Sequence, residues 1–331
     1  FIYKGVSALK EFYKKYFMKQ KMMHPVIYSM IPIALVATYF YGLRVLALLI
    51  TNVLVALFVE YLSNKKIFKL EKVSEAAFVT ACLYTMTLPA SIPFWISAVG
   101  MAFGIFFGKM VFGGFGKNVF NPALVGRVFI YVNFPKFMTI YWNEAANGLP
   151  GGFGTFLTRG LDSLSEATPM TMFKLDGSLE GVQAMLLGNI PGVIGETSKV
   201  LIIIAAIYLI VKKVASWEIM AGSTLGFVAL SLILRAMGVT TVPDPISGIL
   251  MGGFLFGTVF MATDPISAAK TTLGKWIYGV IIGVVTVIIR GFALFAGGVM
   301  FAILIGNTFA PIIDYAINAA KARKKEAHAN G

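Results

Sequence analysis

The chain of 331 residues is 58% hydrophobic and only 13% charged, with a mean hydropathy of +0.81. A soluble domain is about 45–50% apolar, so an ordinary soluble enzyme is excluded and an all-α polytopic membrane protein is expected. The net charge of +13 would suggest nucleic acid in a soluble protein, but its placement along the chain explains it otherwise.

Residues 1–22 are basic and aromatic and lack a small-residue cleavage site, so no cleavable signal peptide is expected there. A membrane helix needs about 20 apolar residues. Candidate spans fall at 24–41, 45–62, 76–89, 94–112, 119–134, 196–211, 217–235, 246–262, 276–295 and 298–316. About ten spans put both termini on one side, and the short ones, 76–89 and 119–134, are expected as broken or half-length helices. This divides the chain into an N-terminal segment (1–23), a first transmembrane set (24–134), a long polar connection (135–195), a second set (196–316) and a basic tail (317–331).

Basic residues fix the orientation, because cytoplasmic loops carry the excess of Lys and Arg. Lys4 to Lys21 precede the first span, Lys65 to Lys72 follow the second, and Lys109 and Lys117 follow the fourth. Lys212 and Lys213 follow the sixth, Lys270 and Lys275 the eighth, and Lys321 to Lys325 the tenth. Twenty of the 28 basic residues thus lie on one face, which is read as cytoplasmic. The termini belong there, the 135–195 connection belongs outside the inner membrane, and no nucleic-acid partner is expected.

Two stretches echo each other. Residues 78–109 and 254–285 each hold a short span, a Thr-x-Pro break (Thr87-Leu88-Pro89 and Thr263-Asp264-Pro265), then a long span. The two sets of five spans enter from opposite sides, the pattern of an inverted-topology repeat whose broken helices meet near the midplane. A smaller echo, Asp244-Pro-Ile-Ser and Asp264-Pro-Ile-Ser, reads as helix-end chemistry.

Ionisable groups inside spans are costly and tend to be functional. Glu60, Asp264 and Asp314 lie near one face, either as ion-pathway carboxylates or as interfacial partners of nearby lysines. Arg127 lies deeper; a carboxylate, a cofactor phosphate and a cofactor carbonyl are all suitable partners. The segment from Gly113 to Leu124 offers Asn118 and Asn121 three residues apart, so one helical turn places both amides on one face. Amides can read the polar edge of a flavin without adding charge; equally, they can cap the following helix, with Pro122 in its first turn.

The single cysteine, Cys82, excludes a four-cysteine iron–sulfur site, and two histidines, His24 and His328, argue against haem. A redox role therefore needs an organic cofactor. The polar stretch 161–174 is the place to look, although Ser165 or Thr168 followed by Pro169 also reads as a helix start.

The chain resembles the NqrB/RnfD family, membrane subunits of ion-translocating oxidoreductases. The resemblance is carried by Tyr41-Gly-Leu-Arg44, Phe58-Val-Glu60-Tyr-Leu62, Thr87-Leu-Pro89 and Asn121-Pro-Ala-Leu-Val-Gly-Arg127. It continues through Ser165-Glu-Ala-Thr-Pro169, Gly188-Asn-Ile190, Met261-Ala-Thr-Asp-Pro265 and Ala310-Pro-Ile-Ile-Asp314. It implies a five-plus-five inverted repeat similar to urea transporters. It also implies covalent FMN on Thr168 through a phosphoester, within a motif that includes Asp162, Ser165 and Ala167, installed by a flavin transferase. Small Ser165 and Ala167 would let a bulky flavin approach. Glu166 stands where the family usually has Gly or Ser.

Thr80, Asn118 and Asn121 match a second site for non-covalent riboflavin, with Arg127 as a candidate flavin or ion-pair contact. Glu60, Asp264 and Asp314 match residues associated with Na⁺ or H⁺ movement. Partners implied are iron–sulfur and NADH-binding subunits. The N-terminal segment and the Tyr-Gly-Leu-Arg region make the ferredoxin:NAD type, in which RnfD is the corresponding component of the Rnf complex, the expected assignment, with the NqrB type as the alternative. The Gly-Lys-Asn run leans to NqrB of the sodium-pumping NADH:quinone oxidoreductase. A non-redox transporter or channel of the same fold is the further alternative.

Overall fold

The computed structural model describes residues 11, 13–159, 168–293 and 297–329. Five helices are long and apolar enough to cross a membrane: Met23–Tyr41, Arg44–Phe68, Trp217–Ala236, Thr272–Phe292 and Gly298–His328. The remaining expected spans fall on shorter pieces. A 12-residue helix is only about 18 Å long, against a hydrocarbon core of about 30 Å.

Helix α1 (Met23–Tyr41) stops at Gly42, and α2 (Arg44–Ser63) starts two residues later, so the pair forms a tight antiparallel hairpin. Arg44 fastens the hairpin to the next connection. It donates to Ala90 O (2.9 Å) and Ile92 O (2.8 Å) and lies 4.4 Å over the Phe94 ring. A π-helical turn, Asn64–Phe68, extends α2. A two-residue parallel pair, β1 (Phe17–Met18) with β2 (Val73–Ser74), leads into α3 (Glu75–Met86).

Helix α3 is buried on every side except at Phe78. A helix apolar all round belongs inside a bundle, and α3 is enclosed by α1, α2, α4 (Phe94–Ile105) and α5 (Pro122–Asn133). It ends at Thr87-Leu88-Pro89, so it is half-length, as its short apolar run implies. A second π turn, Phe106–Met110, extends α4. Gly113, Gly114 and Gly116 then take φ of +106°, +91° and +84°, a left-handed run that only glycine adopts without strain.

The polar connection carries three short helices: α6 (Pro135–Thr139), α7 (Pro169–Asp176) and α8 (Val182–Leu187). Met170, Met185 and Ile190 pack on Leu250 and Met251, pinning this connection to the second half.

The second half comprises α9 (Lys199–Val211), α10 (Trp217–Ala236), α11 (Pro245–Leu250), α12 (Phe254–Phe256), a π turn at Gly257–Met261, α13 (Thr272–Phe292) and α14 (Gly298–Ala329). The expected span 246–262 is therefore not one helix; it breaks at Met251–Gly253, between α11 and α12. The helix expected at 276–295 begins at Thr272 and ends at Phe292. The Asp-Pro-Ile-Ser echo has a common basis. Asp244 Oδ1 accepts from Ser247 N (3.0 Å), and Asp264 accepts from Ile266 N (3.2 Å) and Ser267 Oγ (2.8 Å).

Helices α4 and α5 approach through glycine, as do α10 and α13. A Cβ on Gly104 would lie 2.5 Å from Pro122 O, and one on Gly283 would lie 2.1 Å from Ser223 O. Close backbone approach of this kind is how helices pack where no water drives them together.

Candidate functional site

The break after α4 and the break after the π turn at Gly257–Met261 face each other across a cavity of about 60 Å³. Thr80, Asn118 and Asn121 all line it, together with Lys109 and Asp264. Three elements that are far apart in sequence thus converge, although Asn118 to Asn121 precede α5 as a non-helical turn and not as the helical turn expected, because Pro122 starts the helix and Asn121 is its extended cap. Asn121 is the N-cap of α5: its Oδ1 accepts from Ala123 N (3.0 Å) and Leu124 N (3.4 Å), and Pro122 takes the first helical position. Its Nδ2 donates to Met261 O (3.4 Å). Asn118 Nδ2 donates to Phe120 O (3.1 Å), and Thr80 Oγ1 donates to Ala76 O (2.8 Å). Capping and cavity-lining are therefore not exclusive readings of these amides.

The three acidic candidates separate. Glu60 Oε2 accepts from Lys109 Nζ at 2.6 Å, and its Oε1 accepts from Ser74 N at 2.9 Å; both side chains of the pair are 2% exposed. Lys109 also donates to Ser74 Oγ (2.6 Å). Lys109 is consequently not part of a solvated basic face, as its place after the fourth span implied. The π turn at Phe106–Met110 rotates it inward onto Glu60. Through Lys109, Glu60 communicates with the cavity that Asp264 lines directly. Asp314 is elsewhere: it caps the start of α13, accepting from Lys270 N (2.7 Å), Thr271 N (3.0 Å) and Thr271 Oγ1 (2.6 Å).

A second cavity, about 70 Å³, lies under the connection between the two halves. Thr168 lines it, with Thr171, Arg127, Tyr131, Trp142 and Glu196. Asp162, Ser165 and Ala167 lie outside the described residues. Thr168 is the N-cap of α7, with Pro169 following; Thr171 N donates to its Oγ1 at 3.4 Å, and the two hydroxyls are 2.9 Å apart. Arg127 reaches the same cavity from α5, with Nη1 donating to Thr87 O and Nε to Met300 Sδ (3.2 Å).

Sequence reasoning missed the charged cluster beside this cavity. Glu196 is 6% exposed, and its Oε1 has no hydrogen-bond partner among the described residues. Arg290, 2% exposed, donates to Gly248 O (2.5 Å) and Met251 O (3.1 Å), and so closes the break between α11 and α12. Lys199 donates to Glu196 O and to Thr197 O (3.4 Å). A signal was present: Arg290 interrupts an apolar span, as Arg127 does, and such residues mark functional or structural polar contacts.

These features define a helical membrane protein whose broken central helices carry polar-lined cavities at two levels. The chain belongs to the NQR2, RnfD, RnfE family, which residues 9–323 match. It is 39% identical over 266 residues to NqrB of the Na(+)-translocating NADH-quinone reductase of Ectopseudomonas mendocina (strain ymp), covering 77% of this chain and 62% of that protein. The corresponding reductase component of Pseudomonas paraeruginosa (strain DSM 24068 / PA7) is 40% identical over 259 residues, with 77% and 62% covered. That of Yersinia pestis is 36% identical over 280 residues, with 79% and 63% covered. The chain thus matches just over three-fifths of the length of these curated relatives.

Proposed function

We propose that the chain is a membrane flavoprotein component of an ion-translocating electron-transfer complex, with FMN esterified to Thr168 and riboflavin in the cavity of Thr80, Asn118 and Asn121. The observation that carries this is the setting of Thr168. Its hydroxyl stands at the N-terminus of α7 and at the wall of the cavity that also holds Arg127 and a buried Glu196 oxygen with no hydrogen-bond partner among the described residues. Helix N-termini favour phosphate through their free N–H groups and dipole, so the phosphoester would be stabilised where it forms. Trp142 and Tyr131 supply aromatic wall, and Glu196 Oε1 suits an N–H donor on a ring.

Bound there, the flavins would supply the electron transfer that one cysteine and two histidines do not. The chain's own residues then position them and keep water out. Electrons reach the chain from partners with iron–sulfur and NADH-binding domains. The names of the relatives favour the sodium-pumping NADH–quinone type over the ferredoxin:NAD (Rnf) type. The packing supports an inverted repeat of ten spans: α4 lies against α2 and α5, and α13 lies against α10 and α14 in the same relation. The Glu60–Lys109 pair and Asp264, grouped around one cavity, are the residues proposed to take part in ion movement.

Mass spectrometry of the Thr168 peptide, from protein made alongside the flavin transferase, tests the reading. An FMN phosphoester on Thr168 is expected, and an unmodified peptide would sink it. Thr168→Ala should abolish covalent flavin fluorescence, whereas Thr171→Ala should retain it. Purified protein with no flavin absorbance at all would favour a transporter or channel of this fold.

A further inference from the structure

A third cavity, about 310 Å³, is several times larger than those lined by Thr80 and by Thr168. It is a crevice where α1 of the first half lies against α9 of the second. Tyr28, Ser29 and Pro32 form one wall, and Leu201, Ile204 and Tyr208 line the other. Spacings of three and four put Leu201, Ile204 and Tyr208 on one face of α9, over about 10 Å of its length. Ser29 Oγ donates to Val26 O within its own helix (2.8 Å), and Pro32 has no N–H to give, so the wall beyond Tyr28 offers no free donor. Tyr28 and Ile204 remain exposed, so the crevice opens to the outside of the bundle.

One end of the crevice is polar and basic. Tyr28 stands in the second turn of α1, and Tyr208 in the last turn of α9. Tyrosine is favoured at the boundary between hydrocarbon and water. Lys212 and Lys213 follow at once, both exposed, and Lys212 Nζ lies 5.9 Å from the centre of the Tyr208 ring. Lys213 takes a φ of +57°, a left-handed conformation in which glycine is the usual residue after a helix. A lysine held there at the cost of backbone strain points to use of its charge. Among the described residues neither lysine has a carboxylate within 4.0 Å.

We propose that the crevice binds an anionic phospholipid, with one acyl chain between α1 and α9 and the phosphate held by Lys212 and Lys213. Lysines beside a membrane surface attract anionic headgroups, and basic pockets between membrane helices retain them. A partner's helix, about 10–12 Å across with its side chains, would lie over a crevice of this size and not enter it. The lipid seals the seam between the two halves where α1 meets α9. The site rests on the reading that the chain spans a membrane, and on neither flavin.

The test is native mass spectrometry of the full chain, delipidated in detergent and titrated with phosphatidylglycerol or phosphatidylcholine of the same acyl length. Wild type is expected to prefer phosphatidylglycerol, and Lys212→Gln/Lys213→Gln to bind it about thirtyfold more weakly. Ile204→Trp, which fills the crevice, should remove the preferred phosphatidylglycerol as well, whereas Ile207→Trp, exposed on the same helix but outside the crevice, should leave it in place. Phosphatidylglycerol should raise the melting temperature of wild type and not that of Ile204→Trp. Undiminished phosphatidylglycerol binding in either the lysine or the Ile204 variant, or equal binding of the two lipids by wild type, would overturn the proposal. In the assembled complex, a phosphatidylglycerol with a photoreactive acyl chain should label the peptides that hold residues 28–32 and 201–208. Labelling of these peptides in the isolated chain but not in the complex would assign the crevice to a partner's helix and overturn lipid occupancy. Flavin on Thr168 is scored separately, and its absence would remove the electron-transfer reading and leave the lipid site standing.

Discussion

At Lys109 a residue that charge counting assigns to an aqueous face is found inside the bundle, bonded to Glu60 and Ser74. Removing one partner of a buried ion pair leaves an uncompensated charge, at a cost of about 3–5 kcal/mol. Lys109→Met or Glu60→Leu alone should therefore lower the melting temperature in detergent markedly. The double variant Lys109→Met/Glu60→Leu should recover much of the loss, because no lone charge remains. Non-additivity of this kind is the measurement that checks it; purely additive losses would mean the two side chains do not interact. The sequence identified Glu60 as a costly intramembrane carboxylate, but not its partner, because a π turn in α4 has no signature in apolar periodicity. Arg127 was legible for the same reason as Glu60. Glu196 and Arg290 were legible in principle, since each interrupts or abuts an apolar run, yet their proximity arises only when α11 breaks and turns back past α13.

The glycine contacts are an element-scale feature with a direct consequence. Gly283 on α13 has Ser223 O and Phe227 N of α10 within 2.1 and 2.5 Å of where a Cβ would be. Gly283→Leu should push the helices apart and destabilise the fold by at least the roughly 1–3 kcal/mol typical of overpacking, read as a lower melting temperature. Gly181→Ala, where nothing lies within 4 Å, is the matched control and should leave the melting temperature unchanged within error. Individual helices were readable from composition: the long apolar runs became α1, α2, α10, α13 and α14. Thr-x-Pro and Asn-Pro marked the end of α3 and the start of α5, since proline cannot follow a helical residue freely but fits a first turn. The split of 246–262 was not readable, because Met251, Gly252 and Gly253 continue an apolar run. The break is held by Arg290, 39 residues from Met251, through contacts to Gly248 O and Met251 O.

For the whole molecule, the basic residues and the polar connection predict opposite sides. Lys321→Cys, on the extension of α14, should be labelled by an impermeant maleimide only in inside-out vesicles, and Gly181→Cys, before α8, only in right-side-out vesicles. Labelling of both from one side would contradict the odd number of crossings that the ten-span expectation places between them. The sequence by itself determined that this is a helical membrane protein and which hydroxyl and amides are candidates for cofactor contact; the orientation it predicts from charge is what the labelling measures. Those conclusions follow from local quantities: hydropathy summed over a window, charge in each loop, and residue type within a motif. Only the tertiary structure decided that Thr80, Asn118 and Asn121 share a cavity with Asp264, that Asp314 is a helix cap away from it, and that Arg127 borders the cavity of Thr168. Those facts depend on two broken helices meeting end to end, and a meeting of segments more than 100 residues apart is set by packing, which leaves no trace in any local window of the chain.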